Sequence, residues 1–321
     1  MKTRRQIFAT AAVALMALFA AACSGSNAAE KKDSGGLEKK NIKVGVLPTW
    51  DAAAVYLAIK KGYFTAEGLN VTPVTMANPE EAISKNVSGA VDFAHNGYVS
   101  PTMASNRGLK LRIIIDGAQA KSNMYVVVTP KKTSIHSPKD LAGKKIGMTT
   151  SKGLPALLTS AALQLAGVDT KSVQFVDVPY TNMGAALQNG SIDAAFATDP
   201  FLTRFEQTLG ARVVLDTING PTADFPIGCY HTSERFAKQN PKTVAAFQRA
   251  MAKAQTLAAT DRNEVAQVLP TYIKGLTPQA AQTITIGTFP TSLNKSRAQR
   301  VADFMLQQHV LTTHFDASTL E

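Results

Sequence analysis

Apolar positions in this chain come in short runs separated by helical-period stretches. Ile42, Val44, Val46 and Leu47 form the first run, a buried strand broken by Pro48-Thr49-Trp50-Asp51. Ala52 to Lys61 follows with Val55 and Ile59 at helical spacing, and Gly62 stands where a helix-ending glycine belongs. Asp51 is placed to cap that helix through its carboxylate. Strands are then predicted at Val71–Met76, Val91–Ala94, Leu111–Asp116 and Met124–Thr129. Helices are predicted between them at Pro79–Val87, with Asn78 as N-cap, and at Pro101–Asn106.

A second series repeats the plan. Strands are predicted at Lys145–Met148, Val173–Val178, Ile192–Ala197 and Arg212–Leu215. The helices of this series are Leu154–Ala166, Met183–Gln188 and Pro200–Leu209. Val44-Gly45-Val46 matches Ile146-Gly147-Met148, and Ser88-Gly89-Ala90-Val91-Asp92-Phe93-Ala94 matches Asn189-Gly190-Ser191-Ile192-Asp193-Ala194-Ala195. Both matches are offset by about 100 residues, which reads as two similar α/β lobes. Met124–Thr129 and Phe225–Thr232 flank the second series and read as crossings between lobes. From Ser233 onward the pattern is mostly helical. The expected organisation is lobe one from 41–123 plus 233–321 and lobe two from 124–232, with hinge closure over a cleft.

Composition adds limits. The 321 residues carry a formal charge of +11, of which about +7 remains once residues 1–23 and 30–40 are set aside. There is no dense Lys/Arg run and no basic patch interleaved with aromatics, so nucleic acid is not an expected partner. Cys23 and Cys229 cannot make a structural zinc site, and Cys229 reads as a small buried hydrophobe. Met1–Arg5 is positive and Ile7–Ala22 apolar, short for a membrane span and right for a signal peptide. Small residues before Cys23 resemble a lipobox, so residues 1–23 read as a lipoprotein signal peptide with Cys23 as lipid anchor. Residues 24–40 then read as a flexible tether. Thr3-Arg4-Arg5-Gln6-Ile7-Phe8 also resembles a twin-arginine signal.

One ordered set of motifs spans Ile42 to about Gln308: Lys-Lys-Gly-Tyr-Phe-x-x-Glu-Gly-Leu, Ser-Gly-x-x-Asp-Phe-Ala, Leu-Ala-Gly-Lys-Lys-Ile-Gly and Leu-Gln-Asn-Gly-x-Ile-Asp-Ala-Ala. The set resembles the solute-binding proteins of ABC importers for nitrate, sulfonates and taurine, a group that includes binding proteins for thiamine pyrimidine precursors. The resemblance implies a two-lobed type II periplasmic-binding-protein fold and ligand capture in the cleft. It also implies delivery to an ABC permease and its ATPase; the lipobox resemblance at Cys23 implies attachment to the outer side of a membrane through an N-terminal lipid. A monomer without cofactor, metal or catalytic role is expected.

The same resemblance places pocket elements at Thr49-Trp50, Asn96-Gly97-Tyr98, Ser122-Asn123, Thr149-Thr150-Ser151-Lys152-Gly153, Tyr180 and Asp199-Pro200, where Asp stands for the family's usual Glu. Thr149–Gly153 brings hydroxyls and a Lys to a helix N-terminus, which favours an anion. Trp50 either stacks on a planar ligand or seals the core, and Tyr98 and Tyr180 carry the same two readings. Asp199 either accepts from an amine or pyrimidine or caps the helix after Pro200; the capping role is the expected one. Asn96 is the ligand contact expected beside a structural His95. The first reading of the ligand is a small organic anion of the sulfonate, taurine or nitrate class. The alternative is a planar heteroaromatic such as a thiamine pyrimidine precursor. An enzyme of the same fold, or a sensor or accessory protein, stands further back.

Overall fold

A computed structural model describes residues 36–320. The expected signal peptide, with Cys23, and residues 24–35 of the expected tether lie outside the described residues. Everything from Leu37 onward belongs to one compact unit.

Two five-stranded mixed sheets carry the fold. The first contains β1 (Asn41–Val46), β2 (Asn70–Thr75), β3 (Phe93–Asn96) and β4 (Leu111–Gln119). The second contains β5 (Val126–Thr129), β6 (Lys145–Met148), β7 (Gln174–Asp177), β8 (Ala194–Ala197) and β9 (Arg212–Asp216). A last strand, β10 (Pro226–Ser233), returns to the first sheet. The spatial orders are β2-β1-β3-β10-β4 and β7-β6-β8-β5-β9. The two sheets therefore share one plan: three parallel strands, then an antiparallel strand, then an edge strand antiparallel to that.

The sequence repeat has a physical cause in this plan. Gly45 pairs with Ala94 across β1 and β3, and Gly147 pairs with Ala195 across β6 and β8. A Cβ on Gly45 would sit 2.9 Å from the Met76 side chain, and one on Gly147 would sit 2.4 Å from Ile192. Asp92 accepts the Lys43 N–H at 2.9 Å, and Asp193 accepts the Lys145 N–H at 2.8 Å. In return the Asp92 and Asp193 N–H groups donate to the Lys43 and Lys145 carbonyls. The repeated aspartate thus brackets the start of each central strand, where an unpaired N–H would otherwise cost free energy.

Three expectations are corrected by long-range packing. The third strand begins at Phe93 and runs through His95 and Asn96, because antiparallel β10 pairs Tyr230 with His95 and Cys229 with Asn96. The fourth strand extends to Gln119 for the same reason. Asp51 does not cap the first helix. Trp50–Ala52 forms a 3-10 turn with no side-chain cap, and Ala53–Lys60 continues from it. That turn carries the Asp51 carboxylate inward, where it is 6% exposed.

The helix Pro241–Thr260 packs on Ala53–Lys60 and on the first sheet, with Phe247 stacked on Phe93 at 4.0 Å and on Phe64 at 5.2 Å. Cys229 is a free, fully buried thiol, as its composition suggested. Gly287 lies against the end of β4: a Cβ there would be 2.0 Å from the Gln119 carbonyl oxygen and 3.0 Å from the Trp50 ring. The adjoining Thr288 exchanges two backbone hydrogen bonds with Gln119. At the start of the crossing into β5, Asn123 is left-handed at φ 64°, and Asp216 accepts from its N–H and from the Ser122 hydroxyl.

Candidate functional site

The carboxyl ends of the parallel strands of both sheets meet at a small buried cavity of about 60 Å³. Such strand ends are where open α/β sheets bind ligands. The first sheet contributes Thr49, Asp51 and His95, and the second contributes Tyr125, Thr149, Tyr180, Phe196 and Thr198. Tyr125 stacks on Phe196 at 5.4 Å, both lining the cavity, and Tyr180, also in the lining, is backed by Phe201 at 4.5 Å, so three aromatic rings face it.

The polar side of the cavity is unsatisfied. Asp51 Oδ1 and Thr198 Oγ1 are buried without a hydrogen-bond partner. Asp51 Oδ2 lies 3.5 Å from His95 Nε2, beyond good hydrogen-bond length, and neither ring nitrogen of His95 has a partner. Burial lowers the His95 pKa more than the Asp51 charge raises it, so the imidazole is neutral and the pair is not an ion pair. Burial, together with the Asp51 charge, pushes the Tyr125 and Tyr180 phenols up, so both remain protonated. No Lys or Arg is among the residues that line the cavity. A buried carboxylate oxygen without a donor is costly, so the cavity suits a ligand that brings N–H groups.

Ser100 and Thr149 line this cavity and also a wider outer groove of about 810 Å³. The outer groove carries Glu80, Arg107, Lys152 and Asp177, two charges of each sign.

The expected site residues divide between these places. Thr49 and Tyr180 line the inner cavity; the Thr49 carbonyl also accepts from the Tyr272 hydroxyl at 2.9 Å. Thr150 and Lys152 line the outer groove, and Ser151, Lys152 and Gly153 line a further groove beside it. The Thr150 hydroxyl donates to Glu80 at 2.9 Å, and the Ser151 N–H donates to Asp177. Gly153 is the N-cap of the helix Leu154–Leu165.

Trp50, Asn96, Tyr98 and Asn123 do not line the inner cavity. Trp50 is fully buried edge-on against Phe289 at 5.5 Å. Asn96 sits behind the cavity wall, with its amide 3.1 Å from His231 Nε2. The Tyr98 hydroxyl donates to Asp116 in the core. Asn123 belongs to the crossing. Asp199 Oδ1 accepts from the N–H and hydroxyl of Thr203 at 3.1 and 2.6 Å, in the first turn of the helix Phe201–Leu209, but the N-cap of that helix is Pro200, one residue later than expected. The other Asp199 oxygen accepts the Thr285 N–H at 2.9 Å. Reading the sequence missed Asp51, His95, Tyr125 and Thr198 as cavity residues. His95 and Thr198 carry one local signal, a polar side chain at the end of an apolar strand, whereas Asp51, in a 3-10 turn, and Tyr125, just before β5, carry none.

Among the described residues no cluster of three or more His, Cys, Asp or Glu could hold a metal ion, and no helix is long and apolar enough to cross a membrane.

The profile of the family described as NMT1/THI5 like matches residues 49–265. A formylaminopyrimidine-binding protein from Halalkalibacterium halodurans is 26% identical over 264 residues, covering 80% of this chain and 76% of that protein. Among solved structures, the alkanesulfonate-binding protein of Xanthomonas axonopodis pv. citri bound to MOPS superposes with a TM-score of 0.72 at 18% identity, over 89% of this chain and 99% of that one. The periplasmic nitrate-binding protein of Synechocystis PCC 6803 gives a TM-score of 0.72 at 17% identity, over 89% and 86%. The architecture is the periplasmic-binding-protein fold.

Proposed function

The chain belongs to the NMT1/THI5-like family, and on that premise we propose that it is the substrate-binding protein of an ABC importer, with a cleft that captures a small amino-substituted heteroaromatic of the pyrimidine class. In this reading it is lipid-anchored at Cys23 outside the cytoplasm, delivers to a permease and its ATPase, and is a monomer rather than an enzyme. Its lobes are residues 41–123 with 226–320, and residues 124–225, hinged at the crossings into β5 and β10; the boundary expected at 232 moves back because β10 pairs within the first sheet.

The observation that carries the choice of ligand is Asp51. Its buried, unpartnered carboxylate oxygen faces a cavity lined by no cationic side chain. A sulfonate or nitrate there would meet a like charge without compensation, whereas an exocyclic amine would satisfy the oxygen. The aromatic walls suit a planar ring, and Thr198 offers a second polar contact from the opposite side. Size agrees. A cavity of about 60 Å³ holds roughly four to six waters, about the bulk of one substituted six-membered ring. The likeness to a formylaminopyrimidine-binding protein supports the same class.

The test is a thermal-shift and calorimetric titration of the purified chain with 4-amino-5-hydroxymethyl-2-methylpyrimidine, ethanesulfonate, taurine and nitrate. Ligand at about 100 times its Kd adds about 2.7 kcal/mol, a shift of several degrees. The pyrimidine is expected to give that shift and the three anion-class compounds none. The reverse pattern overturns the choice of ligand.

A further inference from the structure

The loop Thr149–Gly153 has the composition of an anion site, yet the chain's own carboxylates already occupy two of its donors. The Ser151 N–H donates to Asp177, from the end of β7. The Thr150 hydroxyl, 5% exposed, donates at 2.9 Å to Glu80, from the first turn of the helix Pro79–Ser88 on the far side of the cleft. The Lys152 N–H turns back on the Thr150 hydroxyl oxygen at 3.4 Å. The outer groove beside this loop is roomy, at about 810 Å³, so the limit there is charge rather than space. Glu80 and Asp177 balance Arg107 and Lys152 among its lining residues.

We propose that Glu80 and Asp177 act as built-in anion surrogates: they hold the loop donors and cancel the groove's positive charge, and so make this chain reject the sulfonate-class anions that a loop of this composition would otherwise accept. Glu80 has a second effect. Because it reaches Thr150 across the cleft, the surrogate contact forms only when the two sides are together, so anion rejection and cleft closure are coupled. The proposal rests on the reading that the inner cavity takes a ligand without negative charge, and it assigns selectivity to residues outside that cavity.

Glu80→Gln and Asp177→Asn test it, because each keeps the accepting oxygen and removes only the charge. The probe is ethanesulfonate, titrated by calorimetry into the wild type, each single variant and the double variant. The double variant is expected to bind ethanesulfonate at least tenfold more tightly than the wild type, with a gain that falls as salt rises and is lost on adding Lys152→Gln. Equal affinity in wild type and double variant overturns the proposal, and so does wild-type binding as tight as the variant's. Should the double variant fail to fold, each single variant is expected to give about a threefold gain, and no gain in either overturns the proposal equally. A parallel titration with 4-amino-5-hydroxymethyl-2-methylpyrimidine separates the two readings. A wild type that ignores the pyrimidine sinks the cavity assignment but not the surrogates. A pyrimidine binder with no sulfonate gain in the variants sinks the surrogates alone.

Discussion

Asp51 holds one carboxylate oxygen 3.5 Å from Nε2 of a neutral His95 and leaves the other without any donor, in a cavity lined from both sheets. Folding alone does not reward this arrangement, since a buried acceptor without a donor is a loss. It is rewarded when something else supplies the hydrogen bond. Replacing Asp51 by Asn is therefore expected to weaken binding of 4-amino-5-hydroxymethyl-2-methylpyrimidine by about 10- to 100-fold, the worth of about 1.5–3 kcal/mol in a charge-assisted bond. The unliganded melting temperature should stay level or rise. Calorimetry and a melt of the same sample check both. Unchanged affinity with a fallen melting temperature would make Asp51 a structural residue.

Acid should loosen this protein earlier than its carboxylates would. Burial above all, with repulsion from His95 once that ring too is protonated, pushes the His231 imidazole down to about 3. Its unfolded value is about 6.5, so between the two the unfolded chain binds a proton that the folded chain refuses. Stability contributed by the neutral ring is complete above about pH 6.5 and is lost as pH falls towards 3. At pH 5 the loss from His231 is about 2 kcal/mol, and His95, lowered in the same direction by burial, adds to it. Urea melts at pH 7 and pH 5 read the difference, and His231→Gln should shrink it. Equal stability at both pH values contradicts the burial of these rings.

Trp50, the sole tryptophan, reports on the core beneath the cavity rather than on the ligand. Its emission is expected to be blue-shifted and to change little on saturation with pyrimidine. Gly287→Ala should disturb it strongly. The added methyl meets the Gln119 carbonyl oxygen and the indole edge, and a clash of that kind with backbone costs about 3 kcal/mol or more. A red-shifted wild-type spectrum that quenches with ligand would return Trp50 to the ligand site.

The paired aspartates offer an internal comparison. Asp193→Ala removes one acceptor from the Lys145 N–H, at an expected cost of about 1–2 kcal/mol. Asp92→Ala removes the same bond to Lys43 and also leaves Lys39, 2.7 Å away, without its carboxylate. Asp92 is the more buried of the two, at 4% exposure. Its loss should be the larger, and chemical denaturation of both variants decides it. An equal or reversed order would remove the role assigned to burial.

The two-series plan was legible in the chain because its cause is local. Gly45 and Gly147 are read at strand centres, and Asp92 and Asp193 follow a helix and a glycine turn at fixed distance. The contact of Asp199 with the helix that follows it was legible for the same reason, since Thr203 lies only a few residues on. The direction of Asp51 was not, because a cap and an inward 3-10 turn share the same composition. His95 was misjudged because its strand is extended by β10, which lies 135 residues further along. Trp50 was ambiguous until Phe289 was in place beside it. What escaped the sequence was side-chain direction, which depends on partners far along the chain.

The placing of β10 has a consequence for the order in which the molecule can be built. Every strand of the second sheet lies between Val126 and Asp216, so that sheet can close as soon as this contiguous stretch is available. The first sheet cannot. Its β3 and β4 do not pair with each other and are joined in the sheet only through β10, so β4 must wait for the stretch ending at Ser233 before it joins β1, β2 and β3. As the chain emerges from its amino end, the part made first is completed last, and about seven-tenths of the polypeptide exists before the Asp51 and His95 side of the cavity has its full support.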